Sequence, residues 1–410
     1  MRTGKRSRPV SMLAAAALAL VAGAGSAALV APAPAQADNT VRGYQWYLDT
    51  LKVPEAHKIS KGRGVTVAVI DSGVDPNVPD LRGQVLPGKG MSASVAADGR
   101  RDNDREKAHG TSMAGLVASR GGDVTRHLGI APEAKILPVA MRSPFSPRDI
   151  ADAIRWAADN GADVINLSLG SDEAATAEEQ SAVRYALDKD VVVVAAAGNR
   201  TEGARVVGSP ANIPGVVAVT GLAKDGAFFA DSVSGPEAVL AAPMEDIISP
   251  RPTSVSSNGY GLASGTSDAA AITSGVAALV RAKYPDLDAA NVVNRLIRTA
   301  RDRGPAGRDS QYGFGVVDPL AALSRSVPAV ESNPLLAGAS TGTTAPGAPG
   351  GPAKAQEDDE PAVAITMKKG PGVVIAGVLC LAIPLGVVVL VVVLVRRSRR
   401  KTATAAPTGM

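Results

Sequence analysis

Residues 136–170, ILPVAMRSPFSPRDIADAIRWAADNGADVINLSLG, carry the pattern from which the fold can be read. A continuous apolar run from Ile136 to Ala140 is followed by Asp149 to Asn160, in which Ile150, Ile154, Ala157 and Ala158 fall on one helical stripe. Gly161 supplies a helix stop, and a second apolar run extends from Val164 to Leu169. Runs without polar alternation predict strands covered on both faces. Strand, helix and strand in succession predict a parallel sheet.

The same pattern continues in both directions. Val65 to Ile70, Val191 to Ala197 and Val216 to Thr220 read as further strands, and a helix ending near Leu187 lies between the strands at 164 and 191. The expected fold class is therefore α/β, with a mainly parallel central sheet flanked by helices. In such sheets ligands and catalysis collect at the carboxyl ends of the strands.

Composition shifts near both ends of the 410 residues set limits on this domain. Residues 1–37 read as a secretory signal: Arg2, Lys5, Arg6 and Arg8 precede an apolar run from Met12 to Val30, and Ala35-Gln36-Ala37 supplies the cleavage pattern. Residues 372–395 carry no charge and are followed by Arg396, Arg397, Arg399, Arg400 and Lys401. They read as one transmembrane helix, with Pro384 tolerated in lipid. The basic tail, 396–410, is expected in the cytoplasm and the body outside the membrane. Residues 326–371, rich in Ala, Gly, Pro, Ser and Thr with the acidic cluster Glu357 to Glu360, read as a stalk. Residues 60–325 then form one large domain, preceded by an extension, 38–59, in which Trp46, Tyr47 and Leu51 are expected to pack along it.

The formal charge of +4 includes four basic residues of the leader and five of the tail, so the exported portion is net negative. That removes the electrostatic case for a nucleic-acid partner. The only cysteine, Cys380, sits in the expected span. The domain therefore has neither a disulfide nor a thiol nucleophile, and a large core must stabilise it.

The chemistry-bearing residues fall at strand ends and helix starts. Asp71 follows the first strand in VAVIDSGVD. His109 opens HGTSMAGLVAS, and of the three histidines it has the best setting for a general base: His57 lies in a polar segment and His127 in a loop. The triplet Gly-Thr-Ser occurs twice, ending at Ser112 and at Ser267, so two serines compete as nucleophile. Ser267 begins an Ala- and Val-rich helix whose amide-rich start favours a developing oxyanion. A serine at a helix start is more often simply a cap. Asn199 follows a strand in VVVVAAAGN, and its amide is suited to donate to the same oxyanion. Ser168, Leu169 and Gly170 end another strand and offer backbone edges to an extended peptide.

In this order, Asp then His then Asn then Ser, the chain resembles the subtilisin-like serine proteases. The resemblance spans about residues 60–322 and rests on VAVIDSGVD, HGTSMAG, ADVINLSLG, AAAGN, GTSDAAAITSGVAALV and YGFGVVDPLAAL. Within that family, the leader, the short extension, the stalk and the single span look like those of the mycosins, membrane-anchored proteases associated with type VII secretion. The resemblance implies a three-layer fold in which Asp71 orients His109, His109 takes the proton of Ser267, and Asn199 and the Ser267 amide bind the oxyanion. It also places Ser112 on the helix of the base, not at the nucleophile. The expected partners are a peptide or protein substrate, the membrane and a secretion complex.

Two positions depart from the family pattern. Ala271 stands where a proline is usual, and Asp268 where the residue after the nucleophile is usually apolar. An acid in the first helical turn is locally favourable by roughly 0.3–1 kcal/mol. A charge about 5 Å from an oxyanion opposes it by about 1–3 kcal/mol, unless the carboxyl is protonated or turned toward water. Asp268 thus keeps open a second reading, a weakened or inactive subtilase-fold component that docks in a secretion assembly. Asp98, Asp102 and Asp104 read as a solvated acidic loop. No cofactor is expected. Structural calcium is frequent in subtilisin-like folds, yet no EF-hand-type Asp spacing supports a site here.

Overall fold

The computed structural model describes residues 40–336. The expected leader (1–37), the transmembrane span (372–395), the basic tail (396–410) and most of the stalk lie outside the described residues.

Nine strands are described: β1 (Thr66–Asp71), β2 (Lys89–Gly90), β3 (Lys135–Ala140), β4 (Val164–Leu167), β5 (Val192–Ala196), β6 (Val217–Leu222), β7 (Leu240–Pro243), β8 (Ile247–Pro250) and β9 (Tyr260–Ala263). The helices are α1 (Trp46–Thr50), α2 (Val53–Ala56), α3 (His109–Ala118), α4 (Pro147–Asp159), α5 (Ala177–Asp188), α6 (Thr266–Lys283), α7 (Ala289–Thr299) and α8 (Pro319–Ser324). The runs that lacked polar alternation are the fully buried strands: every residue of β4, β5 and β6 is buried. The helix expected from Asp149 starts two residues earlier. Ser146 is its N-cap, in a capping box closed by Asp149, with proline in the first turn.

Seven strands form one sheet in the order β2-β3-β1-β4-β5-β6-β7, every neighbouring pair parallel. Strands β8 and β9 form a separate antiparallel pair. Because β1 lies between β3 and β4, the strand order reverses there, and the crevice at the ends of β1 and β4 is where such sheets hold their ligands. Helices α4 and α5 pack on each other, α3 packs on α6, and all four touch the sheet.

Helix α6 is buried over nearly its whole length, and Ala269, Ala270, Ala271, Gly275, Ala277 and Ala278 keep it thin enough to lie against β4 to β7. Its apolar side chains form no single stripe, because protein surrounds it. Helix α3 approaches the end of β1 through Gly110. A Cβ there would lie 2.3 Å from the Gly73 carbonyl oxygen and 3.2 Å from Asp71 Cβ. Gly110→Ala is therefore expected to push α3 off β1 and to lower stability by about 1–3 kcal/mol, read as a lower urea midpoint at unchanged slope.

The extension before β1 packs as expected: Tyr47, Leu48, Leu51, Val53 and Ala56 are buried, and Trp46 Nε1 donates to the Glu245 carbonyl at 3.1 Å. At the other end, residues 328–336 stay on the body. Asn291 and Asn294 bind the backbone at Val330 and Pro328, and Asn333 is buried. The start of the segment read as a stalk is thus held by two asparagines of α7.

Candidate active site

Three elements bring the candidate residues to one rim of the sheet. Asp71 is the last residue of β1, His109 the first of α3 and Ser267 the second of α6. With Asn199, Ser168, Leu169 and Gly170 they line a cleft of about 710 Å³. Every residue that the sequence assigned to the site faces this one cavity.

His109 Nδ1 lies 2.9 Å from each carboxylate oxygen of Asp71, which is itself buried. Asp71 Oδ1 also accepts from the Ser72 amide at 2.7 Å, so the carboxylate cannot swing away. Enclosure by protein pulls the imidazole pKa down, but the Asp71 charge and hydrogen bond outweigh it. With smaller help from Asp268 and Asp102, they hold the pKa up, at about 9. The imidazole side chain is still 31% exposed, which leaves one edge open to the cleft.

A second carboxylate supports the first. Asp102 accepts from Ser72 Oγ at 2.8 Å, from Thr111 N at 2.8 Å and from Thr111 Oγ1 at 2.6 Å, while Asp104 caps the turn into α3 through the amides of Glu106 and Lys107. Burial raises Asp102 to about 6. This corrects the reading of the stretch as a solvated loop: Asp102 pins α3 to the end of β1. Residue 108 takes a left-handed conformation, φ 49°, unusual for alanine and located where the chain must turn sharply to aim His109. Among the described residues, no group of three or more His, Cys, Asp or Glu is arranged to hold a metal ion.

Ser267 is not a cap. The N-cap is Gly265, with no side-chain capping bond. The Ser267 hydroxyl donates to the Ser168 carbonyl at 3.2 Å, and Ser168 Oγ donates back to the Ser267 carbonyl at 2.8 Å. Behind them Asn166 Nδ2 donates to Ser168 Oγ, and Ser274 Oγ to Asn166 Oδ1, so a buried polar chain ties β4 to α6. Ser112, the other candidate, is buried in α3, and its hydroxyl reaches only the Pro250 carbonyl, at 3.4 Å.

Asn199 is oriented by Thr266, whose backbone N–H and hydroxyl donate to Asn199 Oδ1 at 2.9 and 3.0 Å. A backbone N–H can only donate, so the amide oxygen must face it and Nδ2 must turn the other way. Sequence reasoning missed Thr266, Asn166, Ser72 and Asp102. Thr266 and Ser72 had a signal, since each adjoins a candidate residue.

Asp268 resolves one sequence question. It is 2% exposed, so it has not turned to water, and its Oδ1 has no hydrogen-bond partner. Burial pushes its pKa up to about 7, against the pull of His109 and Arg251. The folded state therefore favours the neutral acid. Near pH 4 the native carboxyl is protonated and little is lost. Between pH 4 and 7 the unfolded carboxyl ionises while the native one resists, and stability falls. Asp268→Asn removes this term. Its stability relative to the parent chain is expected to rise by about 2–4 kcal/mol between pH 4 and pH 8, read from urea unfolding at both values.

Residues 62–315 match the Subtilase family, and the chain belongs to that family of serine endopeptidases. Within it, the chain is 34% identical to Mycosin-3 of Mycobacterium tuberculosis over 86% of this chain and 84% of that one. It is 36% identical to Subtilisin DY of Bacillus licheniformis over 64% of this chain and 92% of that one. The solved structure of MycP1 from Mycobacterium smegmatis superposes with a TM-score of 0.57 at 32% identity, covering 70% of this chain and 87% of that one.

Proposed function

We propose that the chain is an extracytoplasmic, membrane-anchored serine endopeptidase of mycosin type that works with a type VII secretion complex. The observation that carries the catalytic part is the imidazole of His109, held by both oxygens of Asp71 in the cleft that also contains Ser267 and Asn199. Nδ1–H donates to Asp71, which leaves Nε2 as the base. As the Ser267 hydroxyl turns from the Ser168 carbonyl toward Nε2, its proton passes to His109 and Oγ attacks the substrate carbonyl. The oxyanion takes hydrogen bonds from Asn199 Nδ2 and from the Ser267 amide at the start of α6. His109 then gives the proton to the leaving amine as the C–N bond breaks, and next takes a proton from a water that attacks the Ser267 ester, returning it to Oγ as the acid product leaves. The substrate lies extended along Ser168, Leu169 and Gly170. No cofactor takes part in these steps.

The link to secretion rests on relatives: one solved neighbour is described as the MycP3 protease from the type VII (ESX-3) secretion system. Export and anchoring rest on the leader and the apolar segment 372–395. A fluorophosphonate probe is expected to label the parent chain, and not Ser267→Ala, at a single site mapped by mass spectrometry to Ser267. An unlabelled parent chain that still supports export would instead favour the docking component.

A further inference from the structure

The nitrogen expected to hold the oxyanion already has an acceptor. Glu202, three residues after Asn199, accepts from Asn199 Nδ2 at 2.9 Å and lines the same cleft as His109 and Ser267. Two features distinguish this contact from one that merely positions the amide. Asn199 needs no further anchor, because it is buried and its oxygen is held by both donors of Thr266. A planar amide fixed at its oxygen has its nitrogen fixed as well. Glu202, in turn, is aimed by its own turn, Arg200–Glu202, which Asp231 clamps. The Arg200 amide donates to the Asp231 carbonyl at 2.7 Å, and Thr201 donates to the Asp231 carboxylate from its amide at 2.6 Å and its hydroxyl at 2.9 Å. Gly203, at φ 96°, reverses the chain immediately afterwards.

We propose that Glu202 is a built-in restraint on the oxyanion site, a carboxylate resting on the Asn199 amide and opposing the negative charge that acylation places there. The inference rests on the protease reading above. Its physical basis is twofold. A carboxylate drawing on one N–H of an amide weakens the same nitrogen as a donor to a second anion, and like charges at this range repel. Glu202 is exposed, so water screens it, and the restraint is a modest factor, not a block. Because the effect falls on charge that exists only in the transition state, it acts on kcat and leaves KM nearly unchanged.

The test compares fluorophosphonate labelling and peptide hydrolysis by the full chain and by Glu202→Ala, Glu202→Gln and Ser267→Ala. Glu202→Ala is expected to label about 3- to 10-fold faster, with the gain in kcat and not in KM. Glu202→Gln, which keeps an acceptor and loses the charge, should fall between parent and Glu202→Ala. A labelled parent with Glu202→Ala no faster, or slower, overturns the restraint and leaves the protease reading standing, since Glu202 would then be an anchor for Asn199. Absence of labelling in every variant overturns the protease reading and the restraint with it.

Discussion

Ser267→Ala is expected to lower peptide hydrolysis by about 100,000- to 1,000,000-fold, whereas Ser112→Ala leaves the rate within about twofold. The contrast matters because both serines follow Gly-Thr in the sequence. Ser267 sits in the second position of α6, where the backbone N–H groups of a first turn have no intrahelical partner and its hydroxyl faces the cleft. Ser112 sits inside the first turns of α3, buried, with its hydroxyl against the Pro250 carbonyl. Both rates are read with a fluorogenic peptide, and circular dichroism confirms that each variant is folded. A loss in Ser112→Ala comparable to that in Ser267→Ala would contradict the assignment.

Asp71→Asn is expected to reduce kcat by about 10,000-fold with little change in KM. The Ser72 amide, 2.7 Å from Oδ1, would hold the new carbonyl oxygen on that side and put an –NH2 group where Oδ2 met the imidazole. His109 would then accept at Nδ1 and carry its proton on Nε2, the tautomer that cannot act as base. The same change removes the largest influence raising the pKa of His109. The neutral imidazole is the active form, and the parent chain holds the charged form until pH rises toward about 9. Its kcat/KM should therefore climb through the alkaline range, and the residual activity of Asp71→Asn should climb at a pH lower by about one unit or more. An acid limb that does not move would mean that Asp71 does not control the charge on His109.

Much of the fold was legible because fully buried parallel strands need unbroken apolar runs, and five such runs stand out between polar or helical stretches. Strands β1, β3, β4, β5 and β6 each fall within two residues of the expected ends. The two-residue β2 and the pair β8 and β9 were not legible: β2 and β9 are short and partly exposed, and β8, though buried, is only four residues long and carries no periodic signal. Strand β7, LAAP, is too short to stand out from the Ala-rich sequence around it. Within the site, Asp71, His109, Asn199 and Ser267 were readable because each lies at the end of a strand or the start of a helix. Asp102 was not, because an acid among polar neighbours looks solvated until α3 is seen to cover it.

The sequence by itself determined a strand and helix order that brings an acid, an imidazole, an amide and a hydroxyl to strand ends, since burial demands apolar runs and chain order sets which residues follow them. Only the tertiary structure decided how those groups are held and charged: that Thr266 turns the Asn199 nitrogen toward the cleft, that Glu202 rests on it, and that Asp268 is buried and prefers its proton. Those properties depend on distance and dielectric between residues far apart in the chain, and linear spacing carries neither.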